Sequence, residues 1–285
     1  MKRILSTLLL LLGLQASMPT MGQNALQRSE IGYNMGGMNY LGDLNDQSML
    51  GKLNMAWGLQ YRYTFDNRWS MRIDYAQGAV EGGNPDAISW RNLSFRSPIY
   101  ELSIRAEFTF VPFGLDGVSY KWTPYIFGGI GLFHFNPRAQ YTSPLTGETQ
   151  WYDLQPLGTE GQGTREYADR SPYQLNELIL PFGLGFRFKP NKLLCFSIEY
   201  GFRKTWTDYL DDCSLTYVGS DLLNQYHNDG VSAALADRSD TPNLPGVMRG
   251  DDSLDDWYAY INFSITFRLD KVFWWAGKKK CDPQR

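Results

Sequence analysis

The 285-residue sequence has little histidine, little cysteine, little net charge and, after its first residues, no long apolar run. Each shortage removes a class of function. The two histidines, His134 and His227, stand in no HExxH spacing and no CxxC is present, so the common metal signatures are missing. A formal net charge of −3 gives no basic footprint for nucleic acid. No later run approaches the roughly 20 apolar residues that a membrane helix needs. Aromatics, by contrast, are plentiful: 18 Tyr, 16 Phe and 9 Trp make up 15% of the sequence, beside 28 Gly.

The chain opens MKRILSTLLLLLGLQASMPTMGQ. Lys2 and Arg3 precede an apolar stretch from Ile4 to Leu14, and the small residues Thr20 and Gly22 stand at −3 and −1 before Gln23. This reads as a secretory signal peptide over 1–22, too short to span a bilayer. An N-terminal anchor is the weaker alternative, because no stop-transfer pattern follows. The lack of a cysteine after the apolar stretch argues against lipoprotein processing. An exported chain rich in Tyr, Phe and Gly, without long helical patterns, is expected to be all-β: a secreted sandwich or an outer-membrane barrel.

Strands that face lipid on one side and a polar interior on the other must alternate strictly. In 55–65, Met55, Trp57, Leu59, Tyr61, Tyr63 and Phe65 oppose Gly58, Gln60, Arg62 and Thr64. The same alternation runs through 69–75, 100–110, 178–188, 194–203 and 257–269. Residues 29–38 read as a weaker strand, and 124–135 as a strand whose two faces are both apolar. Eight is the even number that a bacterial outer-membrane barrel requires. Closure removes the unpaired edges that lipid does not tolerate.

The connections alternate between short (Asp66–Asn67 and 189–192, with 111–123 intermediate) and long (39–53, 77–98, 136–176, 205–256). Short periplasmic turns and long outer loops follow that pattern. The expected fold is an all-β, eight-stranded antiparallel transmembrane β-barrel over 23–269. Both its ends are then periplasmic, with a periplasmic tail at 270–285.

An eight-stranded barrel is just wide enough inside to be filled by side chains. The expected inner face carries Arg62, Arg72, Asp74, Glu101, Arg105, Glu107, Arg187, Glu199, Arg203 and Arg268. Unpaired charge buried there is costly, so these residues are expected to pair into a network that plugs the lumen. An ion path is the disfavoured reading.

Beyond the seventh strand comes TWTDYLDDCS. Asp208, Asp211 and Asp212 read as a solvated loop base, with Trp206 and Tyr209 as interfacial aromatics. Together with Asp251, Asp252, Asp255 and Asp256 they could instead bind Ca²⁺, although no EF-hand spacing is present. Cys195 falls on the inner face, and Cys213 lies too far along the strand to pair with it. In the tail, Trp274 and Trp275 can anchor at the interface, and Lys278, Lys279 and Lys280 would favour the thiolate of Cys281. Cys281 is the candidate for an intermolecular disulfide; an idle thiol in a frayed tail is the competing reading. No metal or cofactor is called for. A lipid A-modifying enzyme remains a rival, and it needs a nucleophile held beside a base.

Four stretches, NMGGMNYLGDLN, YIFGGIGLFHFNP, LILPFGLGFRFKPN and EYGFRKTWTDYLDDCS, together resemble the outer-membrane barrel family that includes PorG of the type IX secretion system. The resemblance spans roughly 28–269 and implies an OmpA-like barrel without enzymatic activity. It also implies a role in protein secretion, as an anchor or scaffold for the periplasmic ring of the PorK lipoprotein and PorN, amid outer-membrane lipid and lipopolysaccharide. A structural barrel with no fixed partner is a further alternative.

Overall fold

A computed structural model describes residues 25–44, 52–83, 92–114, 120–227 and 230–272. The signal-peptide segment, Trp274, Trp275, Lys278, Lys279, Lys280 and Cys281 lie outside the described residues. Among the described residues there are ten strands: β1 (Ser29–Leu41), β2 (Asn54–Thr64), β3 (Trp69–Gly82), β4 (Phe95–Thr109), β5 (Trp122–Phe135), β6 (Arg138–Thr142), β7 (Thr149–Asp153), β8 (Asn176–Phe188), β9 (Leu194–Thr205) and β10 (Trp257–Arg268). Eight of them form a closed antiparallel barrel in the order β3-β2-β1-β10-β9-β8-β5-β4, completed by the pairing of β3 with β4. The first and last strands meet along their whole length, from Glu30 opposite Arg268 to Leu41 opposite Trp257.

The structure departs from the sequence reading in the long connections and at the strand ends. The segment 136–176 is not all loop: β6 and β7 form a hairpin whose Arg138 pairs with Arg96 of β4. β3 and β4 also continue past the expected ends, as far as Gly82 opposite Phe95. Above the lipid-facing zone the outer face of a strand no longer has to be apolar. The alternation therefore fades there while the hydrogen-bonded ladder goes on.

β1 looked weak because it is rich in glycine, and close backbone approach accounts for one of those glycines. A Cβ at Gly36 would sit 1.9 Å from the carbonyl oxygen of Ile261 on β10. β5 is resolved too. Tyr125, Phe127, Phe133 and Phe135 point inward, while Ile126, Ile130 and Leu132 are exposed. The inner-face glycines of β8 and β9 make room for those rings: a Cβ at Gly201 would lie 2.6 Å from the Phe127 ring, and one at Gly185 2.5 Å from that of Tyr125.

Outside, Ile31, Leu59, Ile73, Leu102, Ile104, Leu184 and Ile198 form an exposed apolar belt. Trp69, Phe110, Trp122 and Phe188 border it at the end with the short turns, and Trp57, Tyr100 and Trp206 at the other. An apolar band between aromatic girdles is the exterior of a membrane-spanning barrel.

At the end with the long connections, helices α1 (Ser220–Tyr226) and α2 (Val231–Ala236) and the loops around them pack over the mouth. A further short helix, α3 (Leu269–Val272), follows β10 directly at the other end. The main apolar core lies in the upper barrel. Met38, Tyr40, Val80, Phe95, Phe133, Phe135 and Tyr258 from the wall meet Leu154, Tyr173, Leu210, Val231 and Leu235 from the loops.

Candidate functional site

All ten charged residues expected on the inner face are buried. Nine of them join one continuous network, which takes in a tenth member, Glu30, that the weak pattern of β1 concealed. At the short-turn end, Arg62 binds Glu30 at 2.8 Å and Glu107 at 2.9 Å, and Arg187 binds Glu107 at 2.5 Å. In the middle, Arg72 reaches Glu107 at 3.1 Å and Asp74 at 2.6 Å, and it clasps Glu199 with both terminal nitrogens. Above, Arg105 holds Glu101 at 2.7 Å, which also receives Arg203 at 3.0 Å. The network thus sets the five guanidinium groups of Arg62, Arg72, Arg105, Arg187 and Arg203 against five carboxylates. Arg268 stands apart, paired with Asp270 at 2.7 Å where the barrel ends. The Phe127 ring lies 5.6 Å from the Arg72 guanidinium and 5.3 Å from that of Arg105. The lumen is filled by matched charge and aromatic rings.

Above the network the mouth is roofed. A ladder of rings climbs from Tyr258 to Phe133 (5.8 Å), Phe135 (5.2 Å), Tyr173 (6.3 Å) and Tyr209 (4.5 Å). The reading of 208–212 as a solvated loop base is overturned here. Asp208, Asp211 and Asp212 are buried, and Tyr209 stacks in the roof instead of facing the membrane interface. The chain turns inward directly after β9, because Thr205 Oγ donates to the carbonyls of Thr207 and Asp256 and ties the two ends of the long loop together. Trp206 alone keeps the exposed position expected of it.

Each carboxylate in the roof has its own setting. Asp212, at a left-handed φ of 68°, accepts from Thr159 at 2.5 Å and Tyr173 at 2.7 Å. Arg249 also pairs with it at 3.3 Å and extends to Glu160 at 3.1 Å. Glu160 caps the backbone amides of Ser214 and Leu215. The hydroxyl of Tyr40 lies 2.7 Å from Asp211 and 2.6 Å from Asp256. Burial raises both of these carboxyls, and for Asp256 the nearness of Asp211 adds to the effect. Both oxygens of Asp208 are buried. That burial outweighs the favourable nearness of the Ser214 hydroxyl and, reinforced by Asp211 and Asp43, pushes the carboxyl up to about 8. The Ca²⁺ alternative finds no support: among the described residues no three acidic, His or Cys side chains are grouped to hold a metal.

The pH dependence follows from the sign of these shifts. A carboxyl held above its ordinary value keeps its proton in the folded roof where the free side chain would lose it. Stability is therefore full at acid pH and falls as pH rises through about 8. Protease cleavage within 206–256 should increase between pH 6 and pH 9, and Asp208→Asn should flatten that rise. Cleavage that is pH-independent in the wild-type chain would contradict the assignment.

Cys195 and Cys213 are buried and free. His134 is in the wall near the end of β5, bonded to Asn176 at 3.0 Å and 6.1 Å from the Tyr100 ring. His227 ends helix α1.

The model of a family described as "Domain of unknown function (DUF6089)" matches residues 2–153, more than half of the chain. The chain belongs to the DUF6089 family. The matched span carries β1 to β7 of this DUF6089 barrel, while Glu199, Arg203 and most of the roof lie beyond it. No curated protein matches the chain. Among solved structures it is similar to Ail, the attachment invasion locus protein of Yersinia pestis (13% identity, 84% of this chain and 96% of that one, TM-score 0.37). It is also similar to Neisserial surface protein A (7%, 84% and 96%, TM-score 0.41) and to OprG of Pseudomonas aeruginosa (12%, 84% and 96%, TM-score 0.39). The likeness is one of barrel architecture.

The residues that sequence reasoning missed are Glu30, Glu160, Tyr173 and Arg249. Glu30 lay on a strand with too few apolar partners to display its face. The other three lie in loops, where no periodicity reports burial.

Proposed function

We propose that this DUF6089 barrel is a non-enzymatic anchor in the outer membrane, with its long loops outside and its ends in the periplasm. The observation that carries this reading is the filled lumen. A transport path needs an open or openable interior, whereas here five guanidiniums and five carboxylates neutralise one another across the bore under a folded roof. The apolar belt supports the membrane placement. The resemblance to PorG supports a specific assembly, the type IX secretion machinery, with this chain holding the periplasmic ring of PorK and PorN at the membrane. Fold alone does not assign such a partner.

The test is affinity capture of the full chain from outer membranes, read on reducing and non-reducing gels, with Cys281→Ser beside wild type. The ring proteins should co-purify. A band shifted up only in the wild-type, non-reduced lane and containing the lipoprotein would make the tether covalent. Capture without ring proteins would overturn the anchor. The lipid A-modifying alternative would then gain ground if deleting the chain altered the mass profile of lipid A.

A further inference from the structure

One face of the β6–β7 hairpin packs toward the roof, with Ala139 buried in the core and Tyr141 and Tyr152 against it. Beside β4 the hairpin also borders a groove of about 420 Å³ on the outer wall. Met55, Trp57, Ala79, Pro98 and Trp151 give the groove much of its apolar lining, and Arg96 and Arg138 are its charged groups. Trp57 stands in the aromatic girdle, Met55 lies two residues beyond it on the same outward face, and both are exposed, so the foot of the groove opens at the edge of the acyl layer. Its head lies on the polar side of the aromatic girdle. Arg96 is ~13 Å along β4 from Tyr100, at ~3.3 Å per residue.

The two arginines sit opposite each other in the antiparallel register, on the same outward face. Like charges so placed repel. Flanking acids relieve this only in part. Asp153 takes Nε of Arg138 at 2.5 Å, and Glu81, across the ladder from Arg96, forms no ion pair with it. Among the described residues the Arg96 guanidinium has no partner. Guanidinium pairs are suited to a phosphate, which accepts two parallel hydrogen bonds.

We propose that this groove binds a phosphorylated, acylated lipid of the outer leaflet, an acyl chain resting against Trp57 and Trp151 and a phosphate bridging Arg96 and Arg138. This rests on the membrane placement proposed above. In that setting a groove on the lipid-facing wall is filled by lipid, and the arginine pair selects an anionic headgroup.

The experiment uses the full chain, folded in detergent micelles, with native mass spectrometry of bound lipid. The probes are bisphosphorylated lipid A, dephosphorylated lipid A and phosphatidylglycerol, with inorganic phosphate as competitor. Phosphorylated lipid should be retained about tenfold more tightly by wild type than by Arg96→Gln/Arg138→Gln, and about tenfold more tightly than its dephosphorylated form. Trp151→Ser should weaken retention of every lipid. These positions are exposed, so folding should persist, as checked by the mobility of the unheated chain on gels. Equal retention by wild type and the double variant would overturn the site. Displacement of the lipid by millimolar phosphate would reduce it to a simple anion site and overturn it as well. Flotation with liposomes separates the two readings. A chain that floats but shows no arginine-dependent retention removes the groove alone, whereas a chain that fails to float removes the membrane placement and the groove with it.

Discussion

Replacing Glu199 by leucine should destabilise the barrel by about 3–5 kcal/mol, the range for removing one partner of a buried ion pair. Glu199 takes both terminal nitrogens of Arg72 and the hydroxyl of Tyr125, and lies 3.8 Å from Arg105. Without it, five guanidiniums face four carboxylates in a lumen that water reaches poorly. Arg72 keeps Asp74 and Glu107, so the charge is not wholly unpaired, which argues for the lower half of the range. The companion variant Glu199→Leu/Arg72→Met removes one charge of each sign and fills the space with apolar atoms. It should recover most of the loss, because a buried pair replaced whole by hydrophobic side chains is often neutral. Urea unfolding in lipid vesicles, followed by heat-dependent gel mobility, reads both. If the double variant is as weak as the sum of the two singles, the residues do not act as a pair and the network account fails.

That network was legible in sequence because a strand's period of two separates its faces without any knowledge of its neighbours. Arg72, Asp74, Glu101, Arg105, Glu107 and Glu199 each fall between lipid-facing residues, so one choice of face places them all. β5 defeated the same logic. Its inward positions are aromatic, and its bulk is accommodated by glycines on other strands, a compensation between segments distant in sequence. The roof was illegible for a related reason. Whether an aspartate in a loop is solvated or buried depends on what another loop lays over it. For Asp212 that is Thr159, Tyr173 and Arg249, none of which its own neighbourhood predicts. TDYLDDCS therefore looked like a polar surface turn, although its carboxylates are held inside a packed layer.

Arg249→Met should unfasten the roof while leaving the barrel closed. Arg249 is buried, and it is where three stretches of loop are tied together. Its Nε donates to the Ala236 carbonyl at 3.1 Å, at the end of α2, and a terminal nitrogen donates to the Asp212 carbonyl. The same guanidinium pairs with Glu160, from the connection that carries the β6–β7 hairpin, and with the Asp212 carboxylate. Methionine keeps much of the side chain's volume but leaves two carboxylates buried with no cation between them, at a cost of about 3–5 kcal/mol. Asp212, raised to about 6 even beside this arginine, would be driven further toward its neutral form. Among the described residues the wall of the barrel shares no hydrogen bond with Arg249, so the loss should stay local. Limited proteolysis should cut 206–256 at least tenfold faster, while the unheated variant still runs as a folded barrel on gels. The defect should also be milder at pH 5 than at pH 8, since protonation removes the charges left unpaired. Joint loss of barrel and roof would mean that the loops fold as one unit with the wall, and that the roof is part of the barrel's core instead of a layer set upon it.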